Sequence, residues 1–289
     1  MKKKITATIM GMAMMAAMFT GCSGSAAGDT ITSVAESVTT TADVTTTESS
    51  MQTEAIAETT TAKEEYESDE FICEGYYMDE TYGYCFDYDE YEHHIEIVGI
   101  YFSGDVVIPS EINGKSVTVL GPGRYGNGSS IASYDVTSVV IPESVTHISD
   151  NAFHNSGRLQ GVLIEGDIEY IGMEAFSYCE NLTVFIANNM SSVPLWCFRN
   201  CKYLETVVIA NENSSISKIS QQAFEGCYRL KTFMTDGGID EIDPTAFEKC
   251  SELTNIVMTE EMTEKYTEYF VDTPWYRNRE NQKTETDVE

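Results

Sequence analysis

The chain is 289 residues long, 42% hydrophobic and 22% charged, which is enough apolar material for a sizeable folded core. Asp and Glu number 47 against 17 Lys and Arg, a formal net charge of -30. Nucleic acids and anionic lipid headgroups are recognised by clustered cations, so this balance argues against both as partners.

Residues 1–21 read as a leader. Lys2, Lys3 and Lys4 precede an apolar run from Ile5 to Phe19, shorter than the roughly 20 residues that a spanning helix requires. The run closes on Phe19-Thr20-Gly21-Cys22, which resembles the lipobox of bacterial lipoproteins. That resemblance implies a signal peptide of 21 residues and lipidation of Cys22 as the first residue of the mature chain, with membrane contact only through that lipid. Residues 22–63 are Ser, Thr, Ala and Glu with almost no large apolar side chains. Such a composition cannot offset its ordering entropy by burial, so a disordered tether is expected.

Residues 64–107 are expected to form an N-terminal cap. The stretch "YCFDYDEYEHHIEIVGIY" alternates with period two, the pattern of a β-hairpin. Cys73 and Cys85 lie 12 residues apart in an exported region, where a disulfide is one expectation and two free thiols the other. His93 and His94 are adjacent; strand neighbours point to opposite faces, so they are not expected to chelate jointly. "DYDEYE" lacks the glycine and spacing of a calcium loop. No metal and no cofactor is expected. Tyr76, Tyr77, Tyr82, Tyr84, Tyr88 and Tyr91 form the one tyrosine cluster that could line a glycan-binding groove.

Residues 108–258 repeat. Phe153, Phe176, Phe198, Phe224 and Phe247 are spaced by 23, 22, 26 and 23 residues. Each follows a small residue (Ala152, Ala175, Cys197, Ala223, Ala246), and an aliphatic stands five residues earlier (Ile148, Ile171, Val193, Ile219, Ile242). A second ladder leads each of these by three: Val145, Ile168, Met190, Ile216 and Ile239. The other half of each repeat carries apolar residues at i, i+3 and i+5: Val136, Val139 and Ile141, and so onward to Leu253, Ile256 and Met258, with Thr235 the polar departure. The extra length of the fourth repeat falls in the polar "NENSS", Asn211 to Ser215, where a loop insertion is expected. An earlier coil containing Ile108, Val117 and Leu120 is degenerate, with "GPGRYGNGSS" in place of its Ala-Phe corner. One coil of about 23 residues cannot bury its own apolar face, whereas stacked coils bury one another as a solenoid of parallel strands.

Cys179, Cys201, Cys227 and Cys250 each lie three residues after the repeat Phe, with Ser156 in that place in the first repeat. A buried ladder of small, weakly polar side chains bonded to turn backbone accounts for them more economically than disulfides, a metal site or a nucleophile. Cys197 reads as core. His147 and His154 occupy variable positions and are expected to face solvent. The i+4 residues Val140, Leu163, Ile186, Val208, Met234 and Val257 should face outward on the strand side, and all six are apolar. A continuous exposed apolar stripe marks a partner surface, although β-branched residues also stabilise strands whatever they face.

Residues 259–289 should close the solenoid. Thr259 can N-cap a helix through "EEMTEKYTEYF", with Met262, Tyr266, Tyr269 and Phe270 on one apolar face, and Trp275 is placed to plug the last coil. The period and the five-fold Ala-Phe register resemble the BspA-type leucine-rich repeats of bacterial surface proteins over about the last three-quarters of the chain. "TPWY", Thr273 to Tyr276, resembles the closing segment of related proteins. The expected fold is therefore a β-rich leucine-rich-repeat solenoid with an N-terminal β cap and a C-terminal helical cap. The resemblance implies a cell-surface, lipid-anchored binding or adhesion module with a protein partner; a glycan-capturing lipoprotein is the alternative, and no enzyme is expected because no catalytic motif appears.

Overall fold

The computed structural model describes residues 70–121, 130–132, 135–211 and 215–286. The expected leader, Cys22, the tether, most of "GPGRYGNGSS" and the centre of "NENSS" lie outside the described residues.

The N-terminal cap is an antiparallel meander of β1 (Phe71–Met78), β2 (Cys85–Tyr91) and β3 (Ile95–Tyr101), one strand more than the hairpin read from the alternation. The β1–β2 turn is closed by Asp79, whose carboxylate accepts from the backbone N–H groups of Thr81 and Tyr82 at 2.9 and 2.8 Å. Gly75 lies beneath the Tyr88 ring on the paired strand, where a Cβ would stand 2.1 Å from a ring carbon. β3 then pairs in parallel with β6 (Lys115–Leu120), so the cap sheet runs directly into the solenoid. β5 (Glu111–Ile112) turns back on β6 through Asn113 and Gly114, both at positive φ, as a two-residue hairpin loop of that handedness requires.

The long face of the solenoid is one parallel sheet of seven strands: β4 (Gly104–Val107), β7 (Val136–Ile141), β9 (Gly161–Ile168), β11 (Val184–Met190), β12 (Thr206–Ile209), β14 (Thr232–Thr235) and β16 (Asn255–Val257). Opposite it, β8 (His147–Ile148) and β10 (Tyr170–Ile171) extend the cap sheet, and β13 (Ser215–Ile219) pairs with β15 (Gly238–Ile242). The register is uniform: Val162, Phe185, Val207, Phe233 and Ile256 are direct partners on successive strands. The i, i+3 and i+5 residues face inward as the repeat predicts. Thr235 is buried with them, its hydroxyl accepting from Gly237 N at 3.2 Å.

Between the two faces runs a column of aromatic rings. Phe153, Phe176, Phe198, Phe224 and Phe247 stack nearly parallel, with successive centroids 5.1, 5.5, 5.1 and 4.9 Å apart. That distance follows from the strand spacing of about 4.8 Å, since each ring is carried by one coil. Phe185 lies edge-on to Phe176 and Phe198, and Phe233 edge-on to Phe224 and Phe247. The corners of Phe153, Phe176, Phe198 and Phe224 are bent by residues at positive φ two before and two after the Phe, and that of Phe247 by Lys249 two after it; Asn151 and Asn155 flank Phe153, and Asn200 follows Phe198. Asn tolerates this left-handed region better than most residues.

The C-terminal cap forms as expected at its start. Thr259 Oγ1 accepts from Met262 N at 3.4 Å and opens α1 (Glu260–Tyr266), which tightens into a 3-10 turn over Thr267–Phe270. Tyr266 and Phe270 are the buried members of the apolar face, and Phe270 rather than Trp275 caps the ring column at 5.1 Å from Phe247. Trp275 packs edge-on against Phe270, and its backbone N–H closes on Leu253 O at 2.9 Å. A second helix, α2 (Pro274–Thr286), follows; its polar sequence has no apolar stripe to announce it. Among the described residues no helix is long and apolar enough to cross a membrane.

Three polar groups depart from expectation. Asn211, at the start of the expected loop, is fully buried: its amide donates to Met190 O at 3.0 Å and accepts from Met190 N at 3.2 Å, pairing with a strand end as a neighbouring backbone would. His147 is 7% exposed rather than solvent-facing, stacked near Tyr170 and bonded to Thr146 Oγ1 at 2.8 Å. His154 is half-buried, 2.7 Å from Ser177 Oγ.

Burial, with the nearby His94 adding to it, lowers the His147 pKa to about 4. A histidine that titrates lower folded than unfolded leaves the native state with fewer protons, so its contribution is complete above the unfolded value of about 6.5 and is lost as pH falls. The urea midpoint is therefore expected to fall between pH 6.5 and about 4. In His147→Gln that fall should be smaller, read as the difference between the two pH profiles.

Candidate binding surface

The outer residues of the long sheet are brought into one straight row by the parallel register. Val140 pairs with Leu163, Leu163 with Ile186, Ile186 with Val208, Val208 with Met234, and Met234 with Val257. Val107 of β4 joins the row beside Val140, a member that the sequence pattern missed because its coil lacks the Ala-Phe corner. Exposure is uneven. Val107 and Val257, at the two ends, are 47% and 41% exposed; Val140, Leu163, Val208 and Met234 are half-buried. Ile186 is only 1% exposed, contrary to the expectation of an outward-facing residue. It does not belong to the hydrophobic core cluster, and neither does its buried neighbour Val184. The outer face is therefore crowded at its middle, where Leu163 and Val208 flank Ile186 on adjacent strands.

The second outer row is small and polar, made by Ser138, Gly161, Thr206, Thr232 and Asn255 around Val184. At its N-terminal end Asp105 holds Ser138 Oγ and Thr137 Oγ1 at 2.7 and 2.8 Å. The face thus presents a raised apolar row beside a shallow polar one.

The cysteine ladder is inward. Each thiol donates to the carbonyl of the Phe one coil earlier: Cys179 to Phe153 at 3.0 Å, Cys201 to Phe176 at 3.1 Å, Cys227 to Phe198 at 3.1 Å and Cys250 to Phe224 at 3.3 Å. Ser156 continues the line, 2.8 Å from Ser130 Oγ. Burial pushes the Cys179 thiol up to about 12 and holds those of Cys197, Cys201, Cys227 and Cys250 well above their usual range. The thiolate is the nucleophile, so these groups are inert while folded. Alkylation read by peptide mass spectrometry is expected to label Cys73 in the native protein, and the five repeat cysteines only in denaturant.

Between the two expectations for Cys73 and Cys85, the structure holds the free thiols. Cys73 pairs with Glu90 across β1–β2 and Cys85 with Met78, five residues further along β1. Five strand residues span about 17 Å, far beyond disulfide reach. His94 is buried against Tyr91, ring centroids 4.6 Å apart, while His93 is exposed. Among the described residues no three His, Cys, Asp or Glu side chains gather to hold a metal. The cap tyrosines do not form one groove: Tyr84 and Tyr88 are buried, Tyr77 packs against the core, and Tyr76 and Tyr82 are exposed.

The sequence profile described as "BspA type Leucine rich repeat region" matches six copies in the chain, over residues 129–254 and 183–281. No curated protein matches. Among solved structures, a leucine rich cell surface protein from Faecalibacterium prausnitzii is similar at 22% identity and a TM-score of 0.46, covering 70% of this chain and 56% of that one. A leucine-rich repeat protein from Eubacterium ventriosum is similar at 18% identity and a TM-score of 0.36, covering 58% and 46%. The T. pallidum leucine rich repeat protein gives 16% identity and a TM-score of 0.35, covering 70% and 95%. The chain thus spans about half the length of the first two.

Proposed function

Because the chain belongs to the BspA-type leucine-rich-repeat family, we propose that it is a lipid-anchored binding or adhesion module that presents its long sheet to a protein partner at the cell surface. The family suggests a protein-interaction role, and the observation that carries the reading here is the outer row from Val107 to Val257. Seven apolar residues in strict register give a rigid ridge rather than scattered surface hydrophobics. A rigid ridge loses little entropy when it is covered. The leader and Cys22 supply the anchor in this reading, and residues 22–63 the spacer that holds the ridge away from the membrane.

One experiment separates the anchor from the surface. In cells displaying the full chain, Val208→Asp/Val257→Asp should abolish surface capture of the partner while the protein stays in the membrane fraction. Cys22→Ala should release it from that fraction. Undiminished capture by the double variant removes the ridge from the reading, and retention of Cys22→Ala in the membrane removes the lipid.

A further inference from the structure

The corners between each Phe and the following strand form a second face, with different chemistry. Tyr178, Tyr203 and Tyr228 project from three consecutive coils and are 37%, 46% and 43% exposed. Between them lie donors and acceptors held by inter-coil ion pairs: Lys202 with Glu180 at 2.8 Å, Lys231 with Glu205 at 3.1 Å and Lys249 with Glu225 at 2.7 Å. The Arg229 guanidinium lies over the Tyr203 ring at 5.4 Å, and Tyr228 is an electrostatic neighbour of both Lys202 and Lys249. Tyr203 and Tyr228 are therefore tied to the ionic groups, while Tyr178 rests against the His154 ring, centroids 5.5 Å apart.

Tyr178 has φ +58°, at a corner position filled in the other coils by Asn155, Asn200, Gly226 and Lys249, all likewise at positive φ. Asn and Gly adopt the left-handed region more cheaply than an aromatic, so the turn itself does not favour a tyrosine there.

We infer that this corner face binds a neutral polysaccharide, with successive sugars stacked on Tyr178, Tyr203 and Tyr228 and their hydroxyls bonded to the fixed Lys–Glu pairs. A pyranose has an apolar C–H face and a polar edge, so it is matched by aromatic platforms bordered by precisely placed donors and acceptors. Charge selects the neutral class. Lys202, Lys231 and Lys249 are matched by Glu180, Glu205 and Glu225, Arg229 lies over the Tyr203 ring, and a chain of net charge -30 repels anionic glycans.

The test is native affinity electrophoresis of the full chain through gels containing laminarin, arabinoxylan, galactomannan or amylopectin. The variant is Tyr178→Asn/Tyr203→Asn/Tyr228→Ser, which gives each corner the residue that an adjacent coil already holds there (Asn200, Asn181, Ser251). The wild type should be retarded by at least one of these polysaccharides, and the triple variant should bind it at least tenfold more weakly with an unchanged melting midpoint. Tyr178→Asn alone should melt no lower than wild type, which keeps loss of binding distinct from loss of fold. Wild-type mobility unaffected by all four, or equal retardation of the variant, overturns the inference. So does a variant that loses protein capture instead, which makes the corner a protein contact. Val208→Asp/Val257→Asp should be retarded like wild type, so the two faces succeed or fail separately.

Discussion

Phe198→Ala is expected to be the most damaging single truncation in the solenoid. Phe198 is fully buried, stacks on Phe176 and Phe224, and receives the edge of Phe185 at 4.7 Å. Phe→Ala in a packed core costs about 3–5 kcal/mol, and aromatic pairs add roughly 0.5–1.5 kcal/mol each beyond area. In a solenoid the loss also falls on coupling between coils, because each coil contacts only its neighbours. Urea unfolding of the variant should show a lower midpoint and two separated transitions, as coils on either side of residue 198 unfold independently. Phe153→Ala serves as the control. Among the described residues its ring has one stacking partner, Phe176, so the loss should be smaller and the transition single. Equal losses in the two variants would show that the column does not carry the coupling.

Ile186→Asp comes second, and its effect differs from what the sequence suggests. The i+4 spacing predicts an outward residue, so the substitution would be expected to spoil binding and spare the fold. With 1% exposure, the new carboxylate would instead be desolvated between Leu163 and Val208. A buried unpaired charge is destabilising by several kcal/mol, or else remains protonated. Thermal melts at pH 7 should place Ile186→Asp well below wild type, and Val257→Asp close to it because Val257 is 41% exposed. A stable Ile186→Asp would mean that the middle of the ridge opens more readily than its packing implies.

These two cases mark how far the sequence could be read. Inward positions were legible because burial repeats with the coil: Phe176, Val162 and Cys201 recur at fixed offsets and every coil casts the same vote. The row from Val140 to Val257 was legible for the same reason. Its exposure was not, because Ile186 is flanked by Leu163 and Val208 on the adjacent strands, a relation between strands that periodicity does not contain. The polar neighbours of Asn211 predict a loop, whereas its amide completes the end of a strand. Cys73 and Cys85 looked close by spacing, yet the β1–β2 register separates them. The positive φ of Tyr178 is a backbone angle and leaves no trace in composition.

The uniform joint between coils has a genetic consequence. Every corner meets the next through the same set of contacts, a ring on a ring and a thiol on the preceding carbonyl, so an exchange between equivalent codons, such as those of Phe176 and Phe198, removes or duplicates a whole coil without altering either junction. Unequal recombination at such sites changes the length of the presented surface in steps of one coil while both caps keep their partners. The solenoid can thus lengthen or shorten by whole coils without passing through an unfolded intermediate.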